Sequence, residues 1–118
     1  MPTVEHKQIA KITKPFLGFE EGHGIFTAGF TADFGGSTQS VGGYNLAGDT
    51  GFAGAFIREL LKAAGVDSWD KLDGKVVQII QAEQFGPAIG IENLPFERGG
   101  RFIFDELAAT YRARREQQ

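Results

Sequence analysis

Between Ile25 and Phe34 two kinds of residue alternate without a break. Phe26, Ala28, Phe30, Ala32 and Phe34 fall on one side, and Ile25, Thr27, Gly29, Thr31 and Asp33 on the other. A period of two belongs to a strand with one buried face, so the rest of the chain has to supply a sheet with one aromatic face and something to cover it. The stretch that follows, Gly35-Gly36-Ser37-Thr38-Gln39-Ser40-Val41-Gly42-Gly43-Tyr44, sets a short polar run between two glycine pairs. Glycine admits positive φ and close backbone approach, so the stretch reads as a strand-to-strand turn against which another element or subunit can come close.

Upstream, His6 to Phe19 is a strand interrupted by Pro15, which assigns it to a sheet edge. Downstream, Ser40 to Leu46 returns as a strand and Gly48-Asp49-Thr50 supplies a turn with a helix N-cap. Phe52, Phe56, Ile57, Leu60, Leu61 and Ala64 then recur at helical spacing up to a stop at Gly65. Val66 to Gly74 is a short connector, after which Lys75–Ala82 and Ala88–Leu94 form a hairpin through Gln84-Phe85-Gly86-Pro87. Pro95 to Gly100 is a loop, Arg101 to Ile103 pairs briefly, and Phe104, Leu107, Ala108 and Tyr111 mark a C-terminal amphipathic helix. This order predicts an α+β fold over a single domain, residues 1–118: an antiparallel β-sheet with two α-helices packed on one face.

Several function classes fall away. Zero cysteines exclude a disulfide framework or thiolate metal site, and no apolar run approaches the ~20 residues of a membrane span. A net charge of −3 argues against long nucleic acid, which needs a basic surface, but leaves room for a small anion held by a few arginines. The phosphate-loop and dinucleotide glycine patterns are absent, His6 and His23 lack metal-ligand spacing, and no serine sits in a nucleophile context. Glu20, Glu21, Asp33 and Asp49 flank glycine turns, where carboxylates act as solvent-facing caps more often than as acid and base. The chain is therefore expected to be no enzyme, to need no cofactor or metal and to be soluble.

Candidates for binding remain. Gln39 and Tyr44 border a possible pocket beside the glycine turn. Arg112, Arg114 and Arg115 offer planar bidentate contacts to phosphate, or else complement the dipole of the last helix. Asn93 either reads a base or ribose edge or caps a turn, and Phe85 is either a stacking platform or a loop anchor.

From Gly18-Phe19-Glu20 through His23-Gly24, Gly35-Gly36, Gln39 and Gly42-Gly43-Tyr44, and on through Phe56-Ile57 and Val66-Asp67-Ser68-Trp69-Asp70-Lys71-Leu72 to Gly74-Lys75, the sequence resembles a family of small phage and prophage proteins. It looks like the first-described type of Thoeris anti-defence protein, which sequesters cyclic ADP-ribose-like signals, and in some members cyclic oligonucleotides, without cleaving them. The resemblance covers roughly residues 17–94. It implies a homo-oligomer with an interfacial ligand pocket in the cytoplasm of an infected host. It further implies an aromatic ring stacked on the base, an Asn on the ligand and helix arginines on the phosphates, which fall here on Phe85, Asn93, Arg112 and Arg115, with Arg114 as a rival. The competing reading is a protein-interaction inhibitor of a host defence complex, of the anti-CRISPR kind, acting through exposed Phe or an acidic surface.

Overall fold

A computed structural model describes residues 6–95, 97 and 100–116. The order is β1 (His6–Phe19), β2 (Phe26–Asp33), β3 (Thr38–Gly42), α1 (Thr50–Ala64), a 3-10 turn (Trp69–Lys71), β4 (Val76–Gln81), β5 (Ala88–Glu92), β6 (Arg101–Ile103) and α2 (Phe104–Glu116). The strands form one antiparallel sheet in the order β3-β2-β1-β4-β5-β6. The fold is α+β.

The alternation of β2 does what its period requires. Ala28, Phe30 and Ala32 are buried on the face that α1 covers, and Phe26 and Phe34 pack at the border of the core. Across the β2–β3 ladder Gly29 sits opposite Gly42; a Cβ on Gly29 would stand 2.4 Å from the Val41 carbonyl oxygen, and one on Gly42 would stand 2.7 Å from that of Ala28. Gly42, the first of the second glycine pair, thus admits β2 itself.

β1 corrects the sequence reading. It is not an edge strand but the bridge of the sheet, pairing β4 through His6–Lys11 and β2 through Lys11–Phe19. Pro15 is accommodated because the register slips between Thr13 and Phe16, with Lys14 at φ 48, so the residue without an N–H falls inside a bulge. Only the half of β1 beyond the bulge has an open side.

α1 begins at Asp49, whose carboxylate accepts the Phe52 N–H (3.1 Å), and ends at Gly65 with φ 76, whose N–H reaches the Leu61 and Lys62 carbonyls. Its inward residues Phe52, Phe56, Leu60 and Ala63 are buried in the core. Phe56 is the hub. Its ring lies 5.2 Å from Phe102, 5.6 Å from Phe104, 5.7 Å from Tyr44 and 5.9 Å from Phe52, which ties α1 to β6, to the start of α2 and to the segment after β3. α2 buries only Phe104 fully and rests on the core through half-buried Leu107, Ala108 and Tyr111, leaving its last turn on the surface. Among the described residues no helix is long and apolar enough to cross a membrane.

Candidate functional site

α2 does not close flush against α1. Between them lies a cleft of about 540 Å³, walled by Tyr44 and Asn45 from the segment after β3, by Asp49 and Phe52 at the start of α1, and by Asp105, Tyr111, Arg112 and Arg115 of α2. Its position follows from local structure. Asn45 accepts the Ala47 N–H (3.0 Å), an Asx turn that swings the chain from β3 toward α1 and leaves Tyr44 pointing across the gap. The Tyr44 ring is wedged among Phe52, Phe56 and Phe104, and its hydroxyl donates a hydrogen bond to Asp105.

Charge in the cleft is largely committed. Asp49 serves twice: Oδ1 caps α1 and Oδ2 accepts from Arg115 (3.0 Å). These bonds, that to the Phe52 N–H first, hold its carboxyl below the usual carboxylate range. Burial, then the hydrogen bond to and charge of Asp105, push the Tyr44 hydroxyl above the usual tyrosine value, with Arg112 acting weakly in the opposite sense. The phenol therefore stays protonated and serves as a donor. Arg112 has no carboxylate within ion-pairing distance among the described residues. Arg114 stacks over Tyr111, 4.8 Å from the ring centre, and lines an adjoining hollow of about 490 Å³ that shares Asp49, Tyr111 and Arg115 with the cleft. The cleft thus combines aromatic walls with a guanidinium available to an anion.

Of the residues singled out from sequence, Tyr44, Arg112 and Arg115 meet in this cleft and Arg114 stands beside it. The others lie elsewhere. Gln39 donates to the Gly86 carbonyl (3.1 Å), as does buried Gln81 (3.0 Å), so its amide fastens β3 to the β4–β5 turn. Phe85, just before that glycine, is 75% exposed and held at φ 61. Asn93 is buried, caps Leu94 through its own side chain (2.9 Å) and lines a separate hollow of about 430 Å³ whose Glu92 already binds Lys7 and Arg101. The four carboxylates considered as acid and base do not converge: Glu20 pairs with His23 (3.0 Å), Asp33 caps Gly35 (2.9 Å), Glu21 is exposed and Asp49 sits in the cleft. Among the described residues no cluster of three His, Asp or Glu is placed to hold a metal.

Sequence reasoning did not single out Asp105, Phe52 or Tyr111 as cleft residues. Tyr111 carried the one usable signal, an aromatic residue in the turn that bears the arginines. No family model, curated protein or solved structure matches this chain.

Proposed function

We propose that this chain is an anti-defence protein of the phage type that binds and sequesters a small cyclic nucleotide signal in the cleft between α1 and α2 without cleaving it. One observation carries the reading: Tyr44, Tyr111, Arg112 and Arg115 converge on one cleft whose volume lies within the roughly 300–1,000 Å³ of small-molecule sites. In this reading Arg112 takes a phosphate oxygen pair, Arg115 exchanges part of its hold on Asp49 for a second, and a base lies against Tyr111. Retention without turnover is favoured by the state of the polar groups: both carboxylates of the cleft are engaged, and the Tyr44 proton is held firmly. Phe85 and Asn93, which the cleft of one chain does not contain, join the ligand only if a second copy brings them there; a homo-oligomeric pocket is part of the proposal for that reason.

Isothermal calorimetry with cyclic ADP-ribose isomers and cyclic di- and trinucleotides tests it. Tight binding to at least one, with the ligand recovered intact after heat release, is expected. Absence of binding across the panel refutes the function, and recovery of a cleaved product refutes sequestration.

A further inference from the structure

Affinity for phosphate alone does not account for the acids of the α1–α2 cleft. Its walls set two carboxylates, Asp49 and Asp105, against two guanidiniums, Arg112 and Arg115. Asp105 is turned to the Tyr44 hydroxyl, but Asp49 is turned to a guanidinium. Its Oδ1 is spent on the α1 N-cap (3.1 Å to the Phe52 nitrogen), and its Oδ2 meets Arg115 (3.0 Å). This placement is built into the contact between the helices. Gly51 lets the Tyr111 ring lie on the first turn of α1, where a Cβ would stand 3.2 Å from that ring and 3.3 Å from Asp49 Oδ1. Tyr111 and Arg115, four residues apart on α2, share one helical face, so the seat of the ring delivers the guanidinium to Asp49.

Among the described residues Oδ2 of Asp49 holds that one hydrogen bond, so it keeps acceptor capacity, and its side chain is 21% exposed, so a ligand reaches it. A phosphate drawn to Arg115 then meets a carboxylate oxygen on the same guanidinium. The two anions repel unless the ligand itself brings a hydrogen-bond donor beside its phosphate. On a ribose the 2′-hydroxyl next to a 3′-phosphoester is such a donor, whereas the hydroxyls of a ribose with a 5′-linked pyrophosphate are separated from it by further carbons. We infer that Asp49 determines specificity in the cleft: while Arg115 holds phosphate, its Oδ2 accepts the free 2′-hydroxyl beside a ribose 3′-phosphoester. The cleft then takes cyclic oligonucleotides of 3′–5′ linkage and discriminates against phosphates that carry no neighbouring hydroxyl, by repulsion as much as by attraction. This rests on the reading of the cleft as a nucleotide site and narrows the ligand class within it.

Titration of the full chain, followed by amide NMR shifts, tests it with three probes: adenosine 3′-monophosphate, 2′-deoxyadenosine 3′-monophosphate and inorganic phosphate. Wild type and Asp49→Asn are compared, with circular dichroism to verify the fold. Asparagine keeps the capping oxygen and replaces Oδ2 by an amide nitrogen, which donates and no longer accepts. The wild type is expected to bind the ribose probe at least about tenfold more tightly than the deoxyribose probe. In Asp49→Asn that preference should shrink to within about twofold, and inorganic phosphate should bind about tenfold more tightly than it does to the wild type. Equal affinity of the wild type for the two nucleotides, binding of neither, a preference that survives in Asp49→Asn, or no gain for inorganic phosphate would each overturn the inference. The two readings fail separately. A wild type that binds only cyclic ADP-ribose isomers would leave sequestration standing and overturn the role of Asp49, whereas a ribose preference lost in Asp49→Asn, with no cyclic nucleotide bound, would uphold Asp49 and refute the signal.

Discussion

Replacing Phe56 by alanine tests the account of the core. Its side chain is 1% exposed and touches rings from four other residues, so truncation leaves a void in the middle of the contact between α1, β6 and α2. Removing a buried Phe costs about 3–5 kcal/mol, a large part of the roughly 5–15 kcal/mol that holds a domain folded. At about 4 °C per kcal/mol for a chain of this length, the melting temperature should fall by roughly 12–20 °C. Urea unfolding followed by circular dichroism gives the free energy directly. Phe85→Ala is the control: that ring is 75% exposed, so its loss should change stability by no more than about 0.5 kcal/mol. Equal losses for the two variants would refute the assignment of Phe56 as hub and Phe85 as surface ring.

Two pH experiments follow from the cleft. Asp49 has a folded pKa below its unfolded value, so its contribution is present above the unfolded value and disappears as pH falls through the folded one; Asp49→Asn, which keeps a capping side chain, should flatten the acid limb of the stability profile measured by urea titration. Tyr44 has a raised pKa, so its contribution is intact below the usual tyrosine value of about 10 and is lost as pH climbs toward the folded value. Tyr44→Phe should therefore remove a component of alkaline destabilisation, and an unchanged alkaline limb would contradict the half-buried, Asp105-bound phenol. Arg115→Gln, which frees Asp49 from its partner on α2, should raise amide exchange in the last turn of α2 while leaving the sheet protected.

What the sequence made legible is what local period and caps determine. The alternation over Phe26–Asp33 identified both the strand and its buried face, and Asp49 and Gly65 bracket α1 where an N-cap and a left-handed stop were expected. β1 shows the limit. A proline in a strand argues for an edge, but a strand of 14 residues has two halves with different neighbours, and the bulge that absorbs Pro15 depends on which partner each half finds. The cleft was half legible for a similar reason. Arginines on one helical turn stand out in a sequence, whereas the pairs that shape the site join Tyr44 to Asp105 and Asp49 to Arg115, separated by 61 and 66 residues, and no local pattern announces them. Phe85 and Asn93 were candidates by residue type and position, each with a structural alternative, and by resemblance; the backbone sends them to a hairpin tip and to a separate hollow, so their part in binding depends on assembly.

The central claim is that the α1–α2 cleft captures a cyclic nucleotide through Arg112. The most direct test is a side-by-side calorimetric titration of the wild type and Arg112→Gln with the tightest ligand of the panel. Arg112 lies on an exposed turn, so the variant should fold normally, yet losing a charged bond to phosphate should weaken binding by at least about tenfold. Equal affinity of the two proteins would place the ligand elsewhere and contradict the account.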